Sequence, residues 1–149
     1  MKSIFKTLSL ILVFAFGLTL TINAQTVKES KKEVVEQPFC PVAYLAMNKA
    51  AKGDAKYSSI YKGKTYYFAI KDAKSMFDAE PEKYLPKFDG FCPTGLAMGK
   101  KLASNPEIFS VYKGSTYLFS NQMAKENFDK DPEMVIKGAN KNIAILAKK

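Results

Sequence analysis

Apolar, aromatic and β-branched residues come in two short runs, 57–61 and 65–70, on either side of Lys62-Gly63. That pattern predicts a β-hairpin closed by a tight glycine-containing turn. The period then changes. Between Asp72 and Asp78, Ala73, Met76 and Phe77 fall on one helical face, Asp72 sits early enough to favour the helix dipole, and Pro81 stops the helix. The same order returns downstream. Two runs flank Lys113-Gly114, a helix over 121–129 carries Ala124 and Phe128 with Ser120 or Asn121 as its cap, and Pro132 ends it. Segments 43–51 and 95–103, rich in Ala, Leu, Met and Lys, predict short helices. Residues 134–149, with Ile136, Ile143, Ala144, Leu146 and Ala147, predict a last helix with one apolar face and a lysine end. Hairpins alternating with short helices give an α+β fold.

The recurrence is a duplication. Residues 45–82 lie on residues 96–133 without a gap at an offset of 51, so that Tyr61-Lys62-Gly63 meets Tyr112-Lys113-Gly114 and Phe77-Asp78 meets Phe128-Asp129. Phe39-Cys40-Pro41 and Phe91-Cys92-Pro93 match at an offset of 52, and these are the only two cysteines. Half-chains of about fifty residues bury too little surface to be stable alone. Two pseudo-symmetric units, 38–88 and 89–149 with the C-terminal helix, are therefore expected to pack as one compact domain.

Residues 1–24 change the picture of compartment. Lys2 and Lys6 precede an apolar run over 8–20, and Ile22-Asn23-Ala24 precedes Gln25, the order of a secretory signal peptide. The run is short for a membrane span of about 20 residues, so no stable membrane insertion is expected after cleavage. The mature chain is expected to begin at Gln25, in a periplasm or secreted. Residues 25–37, rich in Lys, Glu and Val, read as a flexible or loosely helical leader. Loss of Lys2 and Lys6 lowers the net charge from +9 to +7. Every basic residue is lysine, scattered singly or in pairs, so no phosphate-binding stripe forms and nucleic acid is not expected as a partner.

The pattern Tyr-x-Gly-x-x-Tyr-x-Phe, a short helix ending in Phe, then Asp-x-x-Pro-Glu, resembles the YHS domain, a small module related to the TRASH group of proposed metal sensors and carriers. Both halves carry it, and the resemblance covers roughly residues 38–142, extending to exported proteins with two such units. It implies a metal-binding ancestry. Metal-associated members carry a cysteine directly after the Tyr-Phe strand and another four residues later, where this chain has Ala69 and Ala73, then Ser120 and Ala124. With no histidine either, a closed four-ligand zinc site cannot be built.

Three readings of the cysteines stand together. Cys40 and Cys92 occupy matching positions, so packing about a pseudo-twofold axis would allow a disulfide in an oxidising compartment. Two separate buried thiols are the second reading. In the third, both thiolates with the thioethers of Met47 and Met98 form a soft site for copper, as Cu(I). Those methionines lie in the apolar triplets Leu45-Ala46-Met47 and Leu96-Ala97-Met98, where a core role competes. Catalysis is not expected: histidine is lacking, and Glu80, Glu82 and Glu133 lie in surface-like patches. Tyr44, Tyr61, Tyr66, Tyr84 and Tyr112 are candidates for an exposed aromatic groove, with hairpin core as the competing role. The reading is an exported, non-catalytic binding module for a soft metal ion near Cys40 and Cys92. The alternative is a disulfide-stabilised protein- or small-molecule-binding domain without metal.

Overall fold

The computed structural model describes residues 35–146, so the signal-peptide expectation on 1–24 and most of the leader lie outside the described residues. The elements run β1 Val35–Gln37, α1 Pro41–Met47, β2 Asp54–Tyr61, β3 Lys64–Phe68, α2 Lys71–Ala79 and α3 Pro81–Tyr84. A 3-10 turn at Lys87–Gly90 leads to α4 Pro93–Ala97, β4 Asn105–Tyr112, β5 Ser115–Phe119, α5 Gln122–Lys130 and α6 Pro132–Leu146. This is the α+β fold, with its two antiparallel hairpins, and residues 35–146 belong to one compact unit.

Both hairpins close through a two-residue turn whose backbone angles are positive, φ 49° and 76° at Lys62-Gly63 and 47° and 68° at Lys113-Gly114. Two positive φ values define the turn whose twist matches paired strands, and glycine adopts the second without strain. Pairing then runs outward in identical register, from Tyr61 opposite Lys64 and from Tyr112 opposite Ser115. Each ladder is broken by an irregularity, between Asp54 and Ser58 in the first and between Asn105 and Phe109 in the second. The Asp54 and Asn105 side chains hold these breaks by accepting from the Lys56 and Glu107 amides at 2.8 and 2.9 Å.

The helix after each hairpin packs one phenylalanine into a ring of strand aromatics. Phe77 lies 6.0, 5.1 and 5.0 Å from the ring centres of Tyr61, Tyr66 and Phe68. Phe128 lies 6.1, 4.9 and 5.1 Å from those of Tyr112, Tyr117 and Phe119. Tyr44, Tyr66 and Tyr84 are buried, and Tyr61 and Tyr112 are half-buried against Phe77 and Phe128, so these tyrosines serve the core. Asn121 is the cap of α5, its Oδ1 accepting from the Ala124 amide at 2.9 Å.

Four boundaries differ from expectation. Val35–Gln37, expected in a flexible leader, is a strand paired in parallel with Lys64, Thr65 and Tyr66 of β3, because the outer edge of β3 offers unpaired backbone groups to an incoming chain. The predicted strand to residue 70 stops at Phe68, since Ile70 is already the residue preceding α2. The helices expected over 43–51 and 95–103 begin earlier and are shorter, each opened by a proline at its first turn. Pro132 ends one helix and starts the next, so α6 begins at Pro132 instead of residue 134.

Helix α6 has no counterpart in the first half, where α3 is a single turn. It crosses α4 closely: a methyl on Gly138 would stand 3.0 Å from Ala97 Cβ. Asn142 Nδ2 donates to the carbonyl oxygens of Leu96 and Ala97, both at 2.9 Å, satisfying the exposed end of α4.

Candidate functional site

Each cysteine immediately precedes a helix. Cys40 and Cys92 are extended (φ −70° and −63°), each followed by a proline that starts α1 or α4. Their amides bond to the Ala51 and Leu102 carbonyls at 2.8 and 3.1 Å, which fixes both side chains inward. Both residues are buried, 1% and 0% exposed. Cys40 belongs to the first core cluster, with Phe68, Ala73 and Phe77, and Cys92 to the second, with Phe119, Ala124 and Phe128.

Both thiols are free, and the disulfide entertained from their matching positions is not formed. Each cysteine packs within the core of its own half, and the halves meet through other groups. One such group is Tyr44, whose ring lies 4.9 Å from that of Phe109 in edge contact.

Met47 and Met98 are exposed at 65% and 69%, so neither is the core residue that its apolar triplet implied. The short helices end there: Met98 and Asn48 follow α4 and α1 as their terminal caps. Met47 nevertheless reaches the same cavity as Cys40. This cavity, of about 340 Å³, lies between α1 and α2, and Cys40, Met47, Met76, Ala51, Ala69 and Ala73 are among its walls. Met76 was legible in the sequence only as part of a helical face. Its approach to Cys40 depends on how α2 packs beside α1, for which spacing gives no signal.

The second thiol has different surroundings. Ser120 Oγ donates to Cys92 Sγ at 3.6 Å, and Thr94 Oγ1 donates to the Ala124 carbonyl at 2.7 Å, tying α4 to α5. Cys40 and Cys92, with Met47 and Met98, thus make two separate settings instead of the single cluster expected of them.

The donor set decides which metals fit. Among the described residues no three of His, Cys, Asp or Glu come together, so a carboxylate- or imidazole-rich site is not provided. Ala69 and Ala73 line the cavity, and beside Asp72 and Lys49 its lining offers a set of three sulfur-bearing residues, Cys40, Met47 and Met76. That set suits a soft cation of low coordination number.

The repeated acidic motif has a structural role. Tyr61 donates to Glu82 at 2.7 Å and Tyr112 to Glu133 at 2.8 Å, while Lys62 and Lys113 pair with the same carboxylates. Hydrogen bonds from lysine first, then tyrosine, hold both carboxyls below their ordinary range. Ser59 and Ser110 reach Asp78 and Asp129 in the same way. The Tyr-Lys-Gly turn and the Asp-x-x-Pro-Glu segment recur together in the sequence because they touch in the fold.

No curated protein and no solved structure matches the chain. The family model of the YHS domain matches residues 48–87, the stretch that holds β2, β3, α2 and α3: a YHS domain is found there.

Proposed function

We propose that the protein is an exported, non-catalytic binding module of two YHS-like units, whose ligand is a soft transition metal ion of the Cu(I) class. Cys40 is its thiolate donor, with Met47 and Met76 as thioether partners. The YHS domain is of a type proposed to bind metals, and the observation that carries the reading is one cavity whose lining brings Cys40 together with Met47 and Met76 among chiefly apolar residues, with Lys49 and Asp72 beside them. Export rests on the charge, apolar run and small-residue order of residues 1–24, and among the described residues no helix is long and apolar enough to cross a membrane.

The test is an anaerobic Cu(I) titration of the reduced mature chain against a chromophoric Cu(I) chelator. Retention of copper that Cys40→Ala abolishes supports the reading, and retention unchanged by that substitution overturns it. A second reading draws on the same walls: Val42, Ala43, Ala46 and Ile70 would suit a small apolar molecule with no metal. Binding of an apolar dye that survives Cys40→Ala, without copper uptake by the parent, favours that one.

A further inference from the structure

The two halves repeat the same cysteine, proline and helix, yet their surroundings differ: Met76 falls on Asn127, and three further matched positions bear on the cleft itself. Where the first half has Ala51, whose carbonyl accepts from the Cys40 amide, the second has Leu102, whose carbonyl accepts from the Cys92 amide. Leu102 lies over α4: a methyl on Gly95 would stand 3.0 Å from its Cγ and Cδ1. Where the first half has Val42 as the second residue of α1, the second has Thr94, and only the threonine supplies the hydroxyl that clamps its helix to the next at 2.7 Å. Where the first half has Ala69 after the strand, the second has Ser120, which donates to Cys92 Sγ. Among the described residues Cys40 Sγ has no such partner, and its cavity of about 340 Å³ exceeds the roughly 150 Å³ that admits benzene in an apolar core.

We infer that only the first half takes a ligand, one per chain at Cys40, and that the exchange of Ala51 for Leu102 is what decides this. Leucine in place of alanine adds three carbons at the mouth of the cleft between the two helices. The Thr94 hydrogen bond holds the second cleft shut, and the Ser120 hydroxyl engages the thiol a ligand would need. Cys40 and Cys92 are equally buried, so it is the closed cleft and the engaged thiol, not burial alone, that keep the second cysteine inert. The inference rests on the Cys40 cavity being the ligand site, but the opening of the cleft is tested without any metal.

The full mature chain, reduced, is treated under native conditions with N-phenylmaleimide, an apolar thiol reagent, and the labelled cysteines are identified by peptide mass. Cys40 is expected to react about tenfold or more faster than Cys92, whose labelling must await local opening. Ala51→Leu is expected to slow Cys40 to the rate of Cys92, and Leu102→Ala to raise Cys92 toward the rate of Cys40. Equal rates in the parent chain, or rates that neither substitution changes, overturn the inference. If Ala51→Leu does not fold, Leu102→Ala decides alone. In the Cu(I) titration the parent should hold one equivalent. Unequal labelling with no copper bound rejects the metal reading and leaves the one-sided cleft standing; two equivalents in the parent with equal labelling does the reverse.

Discussion

The Tyr44 hydroxyl donates to the Pro106 carbonyl oxygen at 2.8 Å, joining the first helix of one half to the first strand after the other half's cysteine. The residues are 62 positions apart, and the ring behind the hydroxyl is 2% exposed. Tyr44→Phe keeps the ring and strands the carbonyl, so it is expected to cost about 1 kcal/mol, whereas Tyr44→Ala is expected to cost about 3 to 5 kcal/mol. Urea unfolding of the variants checks both. A loss for Tyr44→Phe as large as for Tyr44→Ala would mean that the hydroxyl, not the ring, holds the halves together.

The same phenol predicts an alkaline limb. Burial, then the Cys40 and Glu107 charges, raise the Tyr44 pKa above its ordinary 10.0. In the folded chain it therefore stays protonated where the unfolded chain ionises, and its contribution, full below pH 10.0, is lost as the pH climbs toward the folded value. The melting temperature should fall above pH 10.0, and Tyr44→Phe should remove part of the fall while leaving the remainder from other raised tyrosines.

Glu82 and Glu133 set the acid limb with the opposite sign. Their folded pKa values lie below the ordinary 4.5, through Lys62 and Tyr61 for one and Lys113 and Tyr112 for the other. Each contributes stability above pH 4.5 that disappears as pH drops through the lowered value. The groups are exposed, so the effect is small and shrinks in high salt. A joint Glu82→Gln and Glu133→Gln variant should show a shallower loss of melting temperature below pH 4.5 than the parent chain; parallel curves would show that these pairs contribute nothing.

Free thiols predict indifference to reductant. Denatured, unreduced protein should titrate two thiols per chain, and a reducing agent should leave the melting temperature unchanged. A bridge closing a loop of about fifty residues would instead make reduction cost roughly 2 to 4 kcal/mol.

One buried oxygen predicts a gain. Thr116 is 0% exposed and its Oγ1 has no hydrogen-bond partner among the described residues. Thr116→Val keeps the shape and removes the stranded hydroxyl, so it is expected to stabilise by about 1 kcal/mol in urea unfolding. A loss of stability would show that the hydroxyl is satisfied in solution.

The sequence alone specifies the hairpins, their glycine turns and the phenylalanine-bearing helices, because each depends on neighbours within a few residues. Lys62-Gly63 and Lys113-Gly114 specify their turns locally, and Phe77 and Phe128 mark helical faces that must be buried. It also placed Cys40 and Cys92 at matching points, and a repeat constrains equivalence of position in this way. Equivalence of position does not fix what surrounds it. It took the folded arrangement to show that the thiols remain apart in separate cores, that Met76 of α2 shares a cavity with Cys40 and Met47, and that Val35–Gln37 adds to β3. These outcomes depend on packing between elements distant in the chain, where a single exchange such as Ala51 for Leu102 reshapes a cleft without altering the period of the pattern.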